Sequence, residues 1–246
     1  SAIDILNQGN SVCIDYGKIN NILFFCTCGV GFDAFVSLKF ADSGKRGLLT
    51  YLENTLHESL TYQPETYEIE NEEGTVRHKA FLIACGNASQ YGNNAYITPH
   101  ASLTDGLMDI TIMEPFTVLD VPSLSFQLFN KTLDQNSRIK TMRAKKIKIH
   151  RQHDGVMHFD GDPLMAGKEL EVEIIPAGLH VIASPKKRTK EESENLLQVI
   201  SNYFSGLHLK GEEMLAKRQS HLFELNRNLL GKLSKNKITS SNKNHG

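Results

Sequence analysis

The 246 residues contain no tryptophan, no C-x-x-C pair and no histidine set that would complete a zinc site. A structural zinc module is excluded on that ground. Four cysteines, Cys13, Cys26, Cys28 and Cys85, are too few for a disulfide scaffold. Cys26 and Cys28 sit two apart in an apolar run, so in a strand they would share a face, and buried free thiols in a reducing cytosol are expected. No run of about 20 apolar residues crosses a bilayer. The uncharged stretch 19–32 is short and rich in Gly and Asn. No charged-then-apolar signal pattern opens the chain. Neither sign of charge dominates, with 27 Lys+Arg against 28 Asp+Glu for a net charge of -1. That balance speaks against a protein that mainly wraps nucleic acid. At 40% hydrophobic and 22% charged, the composition is that of a globular protein with a buried core.

The near-zero charge conceals a split. Residues 185–246 hold 12 Lys+Arg and 6 Asp+Glu, whereas residues 1–184 hold 15 and 22. An acidic body is followed by a basic tail. The tail has apolar residues at helical spacing, and its last dozen residues are polar and expected to be disordered.

The body reads as short strands separated by turn signals. Segments around Val12–Tyr16, INNILFF, TYEIENEE, KAFLIAC, LMDITIM, KKIKIH, ELEVEII and LHVIA carry alternation or β-branched runs. KAFLIAC is continuously apolar, as expected of a strand buried on both faces. Many short strands separated by turns predict antiparallel sheets packed as a sandwich or barrel. Helices are expected at Leu48–Ser59 and within Pro115–Thr141, where Leu119, Leu124, Leu128 and Phe129 are spaced for one face.

Three clusters could carry chemistry. GVGFDA, at 29–34, follows a strand but supplies only half of a dinucleotide fingerprint, since no third glycine follows at the required spacing. The alternative is a tight turn whose glycines admit a close backbone, with Asp33 capping the next element. The loop at 85–110 is crowded with Asn, Gly and small polar residues around Ser102-Leu103-Thr104-Asp105-Gly106-Leu107. A carboxylate in a glycine turn, flanked by free carbonyls, suits a hard cation such as Mg²⁺, and a plain Asp-Gly hairpin turn is the alternative. In HFDGDPLMAG, at 158–167, Asp160 and Asp162 flank a glycine. Two nearby carboxylates repel, and one can become a general base; a solvated turn is again the alternative.

In this order, IDYGKIN, GVGFDAFV, GNASQYGNNAYITPHASLTDGLMDITIM and FDGDPLMAGKELEVEIIPAGLHVI resemble the catalytic region of the diacylglycerol kinase family. The likeness is to soluble bacterial lipid kinases, relatives of sphingosine kinases and, more distantly, NAD kinases. It covers about residues 10–183. It implies the C-terminal β-sandwich of a two-domain kinase. The Gly-Gly-Asp-Gly-Thr nucleotide motif of the N-terminal α/β domain does not occur in the chain. The expected division is therefore 1–20 as the end of that domain, 21–184 as the mainly β sandwich and 185–246 as a basic helical tail.

The resemblance also assigns roles. Asp105 matches a Mg²⁺-binding Asp, with Ser102 and Leu107 lending carbonyls. Asp162 matches the last acid of an Asp-Gly-Glu turn, the usual candidate for the base that takes the lipid hydroxyl proton, and Asp160 is the alternative base. Asp33 matches a position that meets the polar lipid head in sphingosine kinases. Asn87, Tyr91 and Gly92 belong to the substrate loop, in which Asn93 and Asn94 replace family glycines at left-handed positions that Asn tolerates.

The implied activity is transfer of the ATP γ-phosphoryl group to a lipid hydroxyl, with diacylglycerol the default acceptor and a sphingoid base or other lipid alcohol second. This half alone is expected to be inactive, with most of the ATP site elsewhere. A non-catalytic lipid- or partner-binding module and a soluble-substrate kinase are the other readings. Expected partners are a lipid at the membrane surface and ATP, with no nucleic acid; a homodimer is open. The expected setting is cytoplasmic with peripheral membrane association.

Overall fold

The computed structural model describes residues 2–43 and 62–183. The helix expected at Leu48–Ser59 and the basic tail lie outside the described residues. Among the described residues no helix is long and apolar enough to cross a membrane.

Among the described residues, twelve strands form two antiparallel sheets. They are β1 (Ser11–Ile19), β2 (Ile22–Phe24), β3 (Thr27–Gly31), β4 (Glu65–Asn71), β5 (Gly74–Ala80) and β6 (Leu82–Gly86), then β7 (Met108–Met113), β8 (Ile139–Ala144), β9 (Lys146–Arg151), β10 (Gly155–Phe159), β11 (Asp162–Ala166) and β12 (Glu169–Ile182). The first sheet runs β2-β1-β12-β9-β4-β5 and the second β11-β10-β3-β6-β7-β8. Helix α1 (Ala2–Gln8) precedes them, α2 (Phe32–Ser43) follows β3, and α3 (Val121–Phe129) lies between β7 and β8. The antiparallel sandwich expected from the turn-punctuated strands is the observed architecture.

The two sheets differ in how their faces are covered. Ile19, Tyr67, Ile69, Ile147, Ile149, Leu170 and Val172 of the first sheet meet Cys28, Val30, Ile83, Cys85, Ile110, Ile112 and Met157 of the second in one core. The first sheet's other face is a solvated charge ladder, with Lys146 paired to Glu171 at 2.7 Å and Arg77 to Glu68 at 3.8 Å. Hence β4 alternates buried and exposed. The second sheet is covered again by Phe32, Val36, Leu124 and Leu133, which pack on Leu82, Ala84, Met113 and Ile139. Strands buried on both faces have no need to alternate, so β3 and β6 are buried along their whole length.

Several expectations are corrected in detail. KAFLIAC is two strands, because the chain leaves the first sheet after Ala80 and enters the second at Leu82. Phe81 makes the crossing, its N–H donating to the Met113 carbonyl while its own carbonyl accepts from Phe32 N–H. ELEVEII and LHVIA are one strand interrupted at Pro176–Gly178, where Asp15 alone stands between Ile14, paired with Leu179, and Tyr16, paired with Ile175. Leu119 is exposed rather than facing the core, because it lies in a short 3₁₀ turn before Pro122 and Val121 takes the inward position. All four cysteines are free, but Cys26 is exposed while Cys28 is buried, since the strand starts only at Thr27. Residues 11–19, placed before the sandwich by the expected division, are bonded along β12, so the sandwich begins before residue 20.

Arg151, 7% exposed, anchors the open end of the β10–β11 hairpin. Its guanidinium donates to the carbonyls of Gly167, Val156, Gly155 and Ala166 at 2.7–3.0 Å. Burial pulls its pKa down, and nearby Tyr67 and Glu65 work against that. Arg151→Met leaves four carbonyls without their donor and is expected to cost about 3 kcal/mol. Thermal unfolding should show a Tm lower by about 10 °C. A shift of less than about 2 °C would mean that water serves these carbonyls equally well.

Candidate functional site

The β10–β11 turn carries the two acids flanking Gly161. Asp160 has φ of 48° and Gly161 of 91°, both in the left-handed region. The turn holds because the Asp160 carboxylate accepts three backbone N–H groups, from Phe25 and Cys26 at 2.7 Å and from Thr27 at 3.0 Å. Asp160 N–H donates back to the Thr27 carbonyl at 2.8 Å. Both oxygens of Asp160 are thus committed to the chain that leads into β3. Asp162 is exposed, and although its backbone pairs with Phe159 in the hairpin, its carboxylate has no hydrogen-bond or ion-pair partner among the described residues.

The turn belongs to a wider polar network. The Cys26 carbonyl accepts the N–H groups of Asn87 and Ala88. Asn87 is fully buried, and its Nδ2 donates to the carbonyls of Asp15 and Phe25 at 2.9 and 2.8 Å. Asp15, 2% exposed, accepts Gly106 N–H and Ala177 N–H, each at 2.7 Å. Its own N–H donates to the Leu103 carbonyl. One connected set of bonds therefore joins the Asp160 turn, the start of the Asn-rich loop, the Ser102–Leu107 turn and the interruption in β12. A buried carboxylate is tolerated only when hydrogen bonds replace its lost hydration, and Asp15 meets that condition with backbone N–H groups.

A second cluster lies under α2. Asp33, 8% exposed, accepts the Tyr91 hydroxyl at 2.8 Å on Oδ2, and His158 Nε2 lies 2.9 Å from the same oxygen. Asp33 Oδ1 accepts Ala34 N–H at 2.8 Å. His158 is 2% exposed, and its Nδ1 has no partner among the described residues. This cluster explains the glycines of GVG. A Cβ on Gly29 would fall 2.6 Å from Asp33 Oδ2 and 3.0 Å from His158 Nε2. Gly31, with φ of 100°, lets the Phe81 carbonyl come as near as 2.6 Å to where a Cβ would stand. The glycines serve side-chain and backbone approach, but they end strand β3, which passes directly into α2 at Phe32, rather than forming the tight turn that was the alternative. Asn93 and Asn94 adopt φ of 49° and 61°, so the loop keeps left-handed backbone where the resemblance places glycine. Gly92 is also left-handed, at 121°.

The Ser102–Leu107 turn holds a third arrangement. Asp105 Oδ1 accepts Leu107 N–H at 3.1 Å, and Oδ2 is hydrogen-bonded to Arg143 Nη2. Arg143 Nε lies 3.3 Å from Asp109 Oδ1. Burial raises the Asp109 carboxyl, with Arg143 opposing. Ser102 Oγ accepts Thr104 N–H at 3.4 Å. The three residues named for Mg²⁺ do share one turn. However, both oxygens of its only carboxylate are engaged, one of them by a cation. As the side chains stand, the donor set does not fit a divalent ion.

The named residues are therefore not gathered at one point. Asp162 pairs across the hairpin with Phe159, which packs on the core between the sheets, while the next residue back, His158, reaches Asp33 under α2. Strand alternation sends these two sets to opposite faces of the hairpin. Asp15, Arg143, Asp109 and His158 were not singled out from the sequence. Asp15 had a signal there, a lone carboxylate between Ile14 and Tyr16 in a strand. Arg143 had none, because its partners are set by the pairing of β7 with β8.

Known proteins carry the same framework. The YegS C-terminal NAD kinase beta sandwich-like domain matches residues 26–183. The probable lipid kinase YegS of Escherichia coli (strain SMS-3-5 / SECEC) is 27% identical over 187 residues, covering 75% of this chain and 61% of that protein. The YegS of Shigella boydii serotype 18 (strain CDC 3083-94 / BS512) matches equally. The chain thus spans about three-fifths of these relatives' length. A solved diacylglycerol kinase from Bacillus anthracis str. Sterne shares the fold at a TM-score of 0.55 and 16% identity, covering 75% of this chain and 58% of that one. With ten strands of its two sheets, its hairpin and its Asn-rich loop within the matched span, the chain belongs to the YegS C-terminal NAD kinase beta sandwich-like domain family.

Proposed function

We propose that this chain is the acceptor-side half of an ATP-dependent lipid kinase, with diacylglycerol the default acceptor and phosphatidic acid the product. A sphingoid base or another lipid alcohol is the second choice of acceptor. Family membership supports lipid kinase chemistry. The observation that carries the assignment of roles is the contrast between two acids of one turn. Asp160 spends both oxygens on backbone N–H groups, whereas Asp162 stands exposed and uncommitted.

In this mechanism Asp162 is the base. The lipid hydroxyl oxygen forms a bond to the γ-phosphorus of ATP as the bond from that phosphorus to the β,γ-bridging oxygen breaks. ADP leaves, and the hydroxyl proton passes to Asp162. Such transfers depend mainly on positioning and charge stabilisation, so a rigidly held base matters more than a strong one. Asp160 acts as a positioning residue by pinning the turn. Asp33, with Tyr91 and His158, lies under α2 on the opposite face of the hairpin from Asp162, so it is assigned to a part of the lipid away from the reacting hydroxyl. The phosphate cradle is assigned to a nucleotide domain outside this chain, and no step is routed through a protein-bound Mg²⁺.

The test is transfer of labelled phosphate from ATP to diacylglycerol vesicles by a protein joining this chain to its nucleotide domain. Asp162→Asn is expected to lower kcat at least about 100-fold, the usual effect of losing a general base, with Tm unchanged. Asp160→Asn should lower Tm and reduce kcat less. Undiminished transfer by Asp162→Asn would remove it from this role. Absence of transfer by the unmutated protein to any lipid alcohol would favour a binding module instead.

Tyr91→Phe removes one hydrogen bond to Asp33, worth about 1 kcal/mol. If this cluster contacts the lipid, KM for the lipid should rise about fivefold with kcat little changed. An unchanged KM in the same assay would place the lipid elsewhere.

A further inference from the structure

Around the Ser102–Leu107 turn, its Asp105 meets Asp109 of β7 and Arg143 of β8, where the family resemblance expects a metal. Asp109 and Arg143 are directly opposed residues of β7 and β8, so the backbone ladder itself sets Arg143 beside that carboxylate. From there its guanidinium reaches both Asp109 Oδ1 and Asp105 Oδ2. The remaining Asp105 oxygen takes Leu107 N–H. The next amide along, Gly106 N–H, is held by Asp15 Oδ2 at 2.7 Å. The turn is thus closed by bonds internal to the protein. Among the described residues, no group of three or more His, Cys, Asp or Glu side chains is placed to hold a metal ion.

We propose that Arg143 stands where a divalent cation would otherwise stand, so that this turn folds around a built-in guanidinium and holds no metal. Two carboxylates converging on one point repel unless a positive charge lies between them. A cation from solution can supply that charge, and so can a side chain. The planar guanidinium offers several donors in a fork that suits two carboxylates at once. Mg²⁺ would have to shed tightly held water, break the Arg143 pair and then sit beside a displaced positive charge. Arg143 is already tethered by the β-ladder and gives up no hydration shell of that kind. This inference is independent of whether the protein phosphorylates a lipid.

The experiment uses the full 246-residue chain and reads thermal unfolding in EDTA and in millimolar Mg²⁺ or Ca²⁺, with equilibrium dialysis of Ca²⁺ alongside. The unmutated chain is expected to show the same Tm in all three solutions, and to bind no more Ca²⁺ than Asp105→Asn does. Arg143→Met exposes Asp105 and Asp109 to each other. Its Tm should fall by about 3 °C in EDTA and recover on adding Mg²⁺ or Ca²⁺. That recovery should vanish when Asp105→Asn is added. Two outcomes overturn the proposal. One is an unmutated chain that loses stability in EDTA and regains it with Mg²⁺. The other is an Arg143→Met chain whose Tm does not respond to divalent cations. If Arg143→Met does not fold, Arg143→Lys keeps a charge at the site without the fork and should be intermediate. The EDTA comparison on the unmutated chain decides the matter without any variant.

Discussion

The candidate site depends on one carboxylate accepting three backbone N–H groups. Asp160 holds Phe25, Cys26 and Thr27, the stretch that turns β2 into β3. Two of those N–H groups lie in the connection after β2, and the third belongs to Thr27, the first residue of the buried β3. Serving all three with one ionised side chain gives strong, directional bonds at the tip of a hairpin. The cost is a left-handed Asp160, which is why Gly161 follows. The same bonds explain why Asp162 stands apart, since its neighbour has taken the local donors.

From that point the polar structure spreads through the Cys26 carbonyl to Asn87 and on to Asp15. It links loops distant in sequence without any element of regular structure between them. The far end of the same hairpin is held with opposite polarity, because Arg151 donates to carbonyls there. A hairpin fixed by an anion at its tip and a cation at its base can lie at the edge of a sheet and still present a side chain at a definite place. Edge strands are otherwise free to fray or to pair with other chains.

The sandwich was legible because its signals are local. Turn residues, β-branched runs and a continuously apolar KAFLIAC each reflect conditions within a few residues. What stayed hidden depends on pairing across long stretches of chain. Nothing near Phe81 announces that the chain changes sheets there, since both sheets bury that run. Leu119 has helical spacing, but Pro122 starts the helix late and turns it outward. The same limit governs the site. The ordered motifs marked loops and a turn that one hydrogen-bond network joins, and Asn93 and Asn94 took the left-handed backbone expected of them. The Asp105–Arg143–Asp109 group could not be read, because it exists only once β7 pairs with β8. That Asp162 and His158 leave opposite faces of the hairpin follows from counting alternate residues once the register is known, and from nothing earlier.

The central claim is that the Asp160 carboxylate organises the segment before β3 and, through it, the start of the Asn-rich loop. Amide hydrogen exchange resolved by residue, in the unmutated chain and in Asp160→Ala, tests it most directly. The account predicts that Phe25, Cys26 and Thr27 are protected in the unmutated chain. In the variant their protection should fall at least about tenfold, with Asn87 and Ala88 following, while β9 and β12 keep theirs. Unchanged protection at Phe25, Cys26 and Thr27 in Asp160→Ala would contradict it.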